Sequence, residues 1–291
     1  MMIGKLTVST TKIIAAAAVA LGLAVSAAPA LASGGAAHPR SGGFSFEGPF
    51  GVYDQGQLQR GYKVYHEVCA ACHSMNLMHY RNLGDAHGPF WNPKYPNPND
   101  NPVVKALAAE NQVADIDSET GEAIMRDATP ADKFRAPYPN ATAAAAGNGG
   151  AAPPDLSVMA KARHDGANYI YSLLSGYRAA PAGLQIREGQ HYNPYMAGDL
   201  TPFWSGDHDH VPEGGFIAMP PPLQNGQVTY DDGSPQTVDQ YAKDVAAFIA
   251  WTSEPKMVER KQAGFGVMIF LLIFAGLTYA SYRRIWKGVA H

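Results

Sequence analysis

The sequence predicts a mainly α-helical domain with long loops, plus one C-terminal transmembrane helix. Three observations predict it. Apolar residues recur at three- and four-residue spacing over 58–68 and again over 238–251, the pattern of helices with one buried face. Between these stretches the chain passes through long segments with no periodicity, around 84–101, 141–152 and 177–215. Near the end, residues 264–282 form a 19-residue uncharged run rich in Phe, Leu and Ile. At about 1.5 Å per residue this reaches roughly 28 Å, the hydrocarbon thickness of a bilayer.

The two ends read as appendages to one domain. Residues 1–32 start with Lys5 and Lys12, continue through the apolar run 13–25 and finish Ala30-Leu31-Ala32, the form of a cleaved export signal. Residues 33–255 would then be the extracytoplasmic domain. Residues 256–291 would hold the anchor and a short cytoplasmic tail. Basic residues flank the span on both sides (Lys256, Arg260 and Lys261 before it, Arg283, Arg284 and Lys287 after it), so the export signal sets the orientation. The formal charge of −3 hides a division. Once the two signal lysines and the surplus of five positive charges in 256–291 are set aside, the body carries −10. An acidic body repels nucleic acid and anionic lipid and favours a basic protein partner.

In chain order, Phe44, Phe46, Phe50 and Tyr53 lead into the first helix, with Asp54 and Gln57 as a capping box. Leu58, Tyr62, Tyr65 and Val68 form its apolar face. It delivers Cys69-Ala-Ala-Cys72-His73, which contains the only two cysteines of the chain. Two thiols three positions apart can add across two haem vinyl groups, and the adjoining imidazole can bind the iron. A Cys69–Cys72 disulfide leaves His73 unexplained, and a zinc site lacks two further ligands at a recognisable spacing. The reading is therefore one covalent haem c, with His73 on the iron.

Prolines at 89, 93, 96 and 98 argue against regular structure, and Phe90 and Trp91 are expected to pack on the core. A short helix is expected over 103–111. Eight acidic residues against two basic ones between 100 and 132 mark a candidate partner-facing patch. Residues 141–152, rich in Ala, Gly and Asn, read as a flexible loop. Short helices follow at 158–164 and 167–175, the second ended by Gly176 as a left-handed cap. Tyr169, Leu173 and Leu174 would share one face of the latter. Asp207-His208-Asp209-His210 could bind a metal but reads better as an exposed turn. Then comes Ile217-Ala-Met219-Pro-Pro-Pro222, whose prolines hold the preceding side chain on an extended backbone. Met219 is thereby the favoured second axial ligand, with Met125, Met159 and Met196 still open. Thr237 and Gln240 cap the last soluble helix, whose apolar face of Val238, Tyr241, Ala242, Val245, Phe248 and Ile249 could cross the first helix and close the pocket.

Taken together, these residues resemble the cytochrome c1 family. The resemblance is carried by Val68-Cys-Ala-Ala-Cys-His73-Ser-Met75, Tyr80-Arg81, Pro153-Pro-Asp-Leu-Ser157, Ala162-Arg163-His164, Tyr169, Gly176-Tyr177, Asn193-Pro-Tyr195, Ala218-Met219-Pro220 and Glu254-Pro255. It implies a cytochrome c-like haem domain with Met219 as sixth ligand. Arg163 and Tyr169 would lie near the propionates, and Asn148 and Pro154 would line the pocket. It further implies a non-catalytic electron carrier beside cytochrome b and a Rieske iron–sulfur protein, with cytochrome c as acceptor, on the periplasmic side of a bacterial inner membrane. An anchored cytochrome of a terminal oxidase and a haem peroxidase are the rival readings. The stretch from Tyr195 to Met219 is longer than in mitochondrial members, so contacts there do not transfer.

Overall fold

The first helix, α1 (Gln55–Glu67), starts where the sequence places its cap, since the Asp54 carboxylate accepts from the Gln57 N–H at 2.6 Å. The computed structural model describes residues 35–289, so the expected export signal lies outside the described residues. Next comes α2 (Pro102–Ala109), begun by an Asn101 cap and by a proline that needs no hydrogen-bond partner at a first-turn position. Strands β1 (Gln112–Ile116) and β2 (Ala123–Asp127) form an antiparallel hairpin. Two short helices follow, α3 (Ala141–Gly147) and α4 (Gly166–Ser175). A second antiparallel pair joins β3 (His191–Asn193) to β4 (Gly215–Ile217), with His191 opposite Ile217. The chain closes with α5 (Val238–Ser253) and α6 (Met257–Ile285). With six helices and only two short sheets among the described residues, the fold is mainly α.

The core forms where α5 crosses α1. Thr237 caps α5 through its hydroxyl, which accepts from the Gln240 N–H. The apolar face from Tyr241 to Trp251 is then buried. The two helices approach so closely at Gly61 that a side-chain carbon there would collide with the Asp244 carbonyl and lie 2.7 Å from Phe248 Cβ. Around this crossing Tyr62, Tyr65, Tyr80, Phe134 and Phe248 pack as an aromatic cluster with centroids 4.9–6.3 Å apart, in the edge, tilted and stacked arrangements that rings favour. Asp244, whose side chain is fully buried, is compensated by Arg60 Nε at 2.9 Å and by Gln57 and Gln240. On the other side of α5 packs α4.

At 29 residues, α6 is long and apolar enough to cross a membrane, and its apolar length is exposed. It contains the expected span. Its first turns are tied to the domain. Lys261 donates to the carbonyls of Phe46 and Gly51, Arg260 pairs with Glu254, and Phe265 meets Phe50 edge-on at 5.7 Å.

Several sequence expectations need correction. Residues 158–164 form turns, because Val158 and residues 161–165 are exposed and offer no face to bury, and Asp165 takes φ 62° before α4 begins. The segment 141–147, read as a loop, is helical, since Asn140 caps it and alanine is the best helix former. Gly176 is not left-handed: its φ is −95°, and a side chain is excluded there because Tyr195 Cδ2 would be 2.5 Å away. Trp91 stands largely exposed, whereas Phe90 does pack against Tyr62. The acidic stretch 100–132 holds the unforeseen hairpin.

Candidate functional site

Leaving α1, the chain winds directly into a 3-10 turn, Cys69–Ala71. The N–H groups of Cys72 and His73 both donate to the Cys69 carbonyl, at 3.1 and 2.9 Å. One turn therefore carries both cysteines and the histidine. The two thiols are free. Burial, with Cys72 adding to it, pushes the Cys69 thiol up to about 12, so it is protonated at neutral pH.

His73 is held from behind. Its Nδ1 lies 2.8 Å from the carbonyl oxygen of Pro154, and because a carbonyl only accepts, the proton sits on Nδ1 and Nε2 keeps its lone pair. Burial pulls the His73 pKa below its ordinary value, outweighing the opposing influence of the Pro154 bond and the Asp155 charge. Its ring is neutral at pH 7, the form in which imidazole ligates a metal.

The segment that supplies Pro154 is laced to the segment that follows His73. Leu156 N–H donates to the Ser74 carbonyl at 2.9 Å, and Leu77 N–H donates to Ser157 Oγ at 3.1 Å. Asp155 accepts from Ser74 Oγ and from Asn76 N–H, both at 2.8 Å, and from Ser157 N–H at 2.8 Å. Burial works against this carboxylate, yet the donors of Ser157, Asn76 and Ser74 together hold its pKa below the usual range. Sequence reasoning named Pro154 as a lining residue but missed Asp155. The signal was present: an Asp two residues before a Ser, after prolines, is the pattern of a side chain that turns back onto its own backbone.

Met219 lies half-buried two residues beyond β4, and its carbonyl accepts from the Tyr177 hydroxyl at 2.9 Å. Burial raises the Tyr177 phenol well above its ordinary pKa, so it is a donor throughout the neutral range. The Tyr169 hydroxyl donates to Met196 Sδ at 3.8 Å. Arg163 is exposed and donates to the Ala162 carbonyl, so the structure does not join it to Tyr169. Asn148 ends α3, with its amide donating to the Tyr138 hydroxyl and the Ala144 carbonyl. Asp207 to His210 form an exposed 3-10 turn in which His210 Nδ1 donates to Asp207 at 2.8 Å. Among the described residues no group of three or more His, Cys, Asp or Glu is placed to hold a metal ion.

Two thiols, and an imidazole whose Nδ1 is committed to the Pro154 carbonyl, on one turn are the donor set that covalent haem requires. With a mainly α domain and a long apolar helix, they are the features of the anchored c-type haem proteins as a class. Comparison narrows the class. Residues 44–289 match the Cytochrome C1 family. Similar proteins include cytochrome c1 of Rhodospirillum rubrum, 42% identical over 92% of this chain and 97% of that protein. Cytochrome c1 of Blastochloris viridis is 38% identical over 96% of each chain. The protein named Cytochrome b/c1 of Bradyrhizobium diazoefficiens is 41% identical over 94% of this chain, which spans only 39% of that relative's length. The chain belongs to the cytochrome c1 family.

Proposed function

We propose that this chain is the haem c subunit of a bc1-type quinol:cytochrome c oxidoreductase. It takes electrons from a Rieske iron–sulfur protein and passes them to a cytochrome c, and it is not itself a catalyst. The observation that carries the reading is the Cys69–His73 turn with His73 Nδ1 committed to Pro154, in a chain matched to the family from residue 44 to 289. When bound, a single covalent haem c supplies one-electron redox chemistry.

The chain's own residues fix the surroundings. Cys69 and Cys72 anchor the group, and His73 Nε2 is the first axial donor. Met219 is the second. Of the other candidates, Met125 is exposed on the hairpin, Met159 packs against the core, and the Met196 sulfur accepts from Tyr169. A thioether opposite an imidazole raises the reduction potential, and two protein ligands leave no open position for peroxide chemistry. Arg163, exposed in the turn before α4 and donating to the Ala162 carbonyl, and Tyr169 within α4 are the proposed propionate partners.

The organisation proposed is a cleaved signal over 1–32, an extracytoplasmic haem domain over 33–255 on the periplasmic face of a bacterial inner membrane, and an anchor over 256–291. The relative named Cytochrome b/c1 supports a cytochrome b neighbour. Glu119 and Glu122, exposed at the tip of the hairpin beside half-buried Asp117, give the acidic body a face for a basic acceptor. Replacing Met219 by Leu in the purified complex should lower the midpoint potential and let exogenous ligands bind. An unchanged potential and spectrum would sink the Met219 assignment, and purification without a cytochrome b or a Rieske subunit would sink the assignment to the complex.

A further inference from the structure

Met219 precedes three consecutive prolines, none of which has an N–H to tie the loop down. Pro221 lines an open cavity of about 380 Å³ together with Leu174, Tyr177 and His191, and Leu223 just beyond is buried in the core. The polar ties on the Met219 side converge on the end of α4. The Tyr177 hydroxyl spans 42 residues of sequence to donate to the Met219 carbonyl at 2.9 Å. The Tyr177 ring meets His191 edge-on with centroids 6.5 Å apart, and His191 in turn pairs with Ile217, two residues before Met219. At the far end of β3, the Asn193 amide donates to the Leu173 carbonyl at 2.8 Å and fastens the strand pair to α4. At Gly176, just before Tyr177, the backbone runs so close to Ser172 and Tyr195 that a side chain would not fit.

We propose that Tyr177 is a positioning residue, whose hydroxyl acts through the Met219 carbonyl to hold the thioether in its place on the haem. The inference rests on the reading of Met219 as axial ligand. The carbonyl and the side chain belong to one residue whose following proline fixes the backbone, so a bond that holds the Met219 carbonyl also holds the Cα from which the thioether projects. Among the described residues, the Tyr177 bond is the tie that ends on Met219 itself. Losing it enlarges the fraction of molecules in which the sulfur is detached. An added ligand then competes more easily, by the factor through which that fraction rises.

The test uses the full-length haem-loaded chain in detergent, as wild type, Tyr177→Phe and Met219→Leu, titrated with imidazole. Midpoint potential, the far-red absorption band of methionine-ligated ferric haem and urea unfolding are measured alongside. Tyr177→Phe keeps the ring, so unfolding should be almost unchanged while imidazole affinity rises about 5- to 10-fold, the equivalent of one hydrogen bond of about 1 kcal/mol. The far-red band should weaken and the potential fall. If Tyr177→Phe binds imidazole as wild type does while Met219→Leu binds it far better, the role of Tyr177 is overturned and Met219 stands as ligand. A loss of global stability in Tyr177→Phe with no change in imidazole affinity overturns that role as well. If Met219→Leu also matches wild type in potential, band and affinity, the ligand assignment falls and this inference falls with it.

Discussion

Replacing Gly61 by Ala tests whether the crossing of α1 and α5 is as tight as the structure shows. The added carbon would stand 2.7 Å from Phe248 Cβ and 2.8 Å from the Asp244 carbonyl carbon, with the Asp244 oxygen closer still. Ordinary contact begins at 3.4 Å, so relieving Phe248 Cβ alone needs about 0.7 Å and the Asp244 oxygen needs more, and two of the three obstructing atoms are backbone that cannot rotate aside. Overpacking of this kind costs about 1–3 kcal/mol, and backbone obstruction puts Gly61 near the upper end. Alanine returns up to about 1 kcal/mol in helix propensity, leaving a net loss of roughly 2 kcal/mol. Gly56 on the same helix is the control. A carbon added there meets only side-chain atoms at 3.5 and 3.7 Å, so Gly56→Ala should be neutral or stabilising by at most about 1 kcal/mol. Urea unfolding of the detergent-solubilised chain, followed by the fluorescence of buried Trp251, should separate the two variants by about 2–3 kcal/mol. Equal stability in the two would refute the close approach.

Two further outcomes follow from charged groups. Asp244→Ala leaves Arg60 partly buried with Asp232 at 2.7 Å as its remaining carboxylate, so the loss should fall near the lower end of the roughly 3–5 kcal/mol range for breaking a buried pair. A loss below about 1 kcal/mol in the same urea assay would show that the Arg60–Asp244 pair contributes little. Asp132 is held well below the usual carboxylate range, first by its hydrogen bonds from Arg126 and, against the opposing effect of burial, by Thr129. A depressed folded pKa gives stabilisation that is present above the ordinary value of 3.8 and lost as pH falls through the folded value. Wild type should therefore be more stable than Asp132→Asn at pH 7, and the gap should close steadily below pH 3.8. A gap independent of pH would show that the Asp132 charge contributes nothing.

The elements legible in the sequence were those whose burial is one-sided and continuous. Leu58, Tyr62 and Tyr65 on α1, the face of Tyr241, Val245 and Phe248 on α5, and the uncharged run of α6 each repeat one physical choice over several turns. The hairpin was not legible because, apart from half-buried Val113 and Arg126, its strands are exposed and show no alternation of buried and exposed residues. The usable signal was Asp117, which accepts from Glu119 and Thr120, with Gly121 at φ 74°. The segment 141–147 has no apolar face, and only Asn140 before a run of alanines announced a helix. In the site, Cys69, Cys72 and His73 were readable because their spacing is itself chemistry. What Asp155 and Tyr177 do was not, since each acts on a partner 42 or more residues away that only the fold brings near.

Only residues 254–256 separate α5 from α6, and Lys261, Arg260 and Phe265 bind the start of α6 back onto the domain. With so short a link and these contacts at Phe46, Phe50 and Gly51, the start of α6 is fastened to the domain, so a bilayer that took up α6 would fix the tilt of the domain through that one helix. For anything that exchanges electrons with the Cys69–His73 turn, this makes the chain a stationary target. Diffusion and search belong entirely to the visitor.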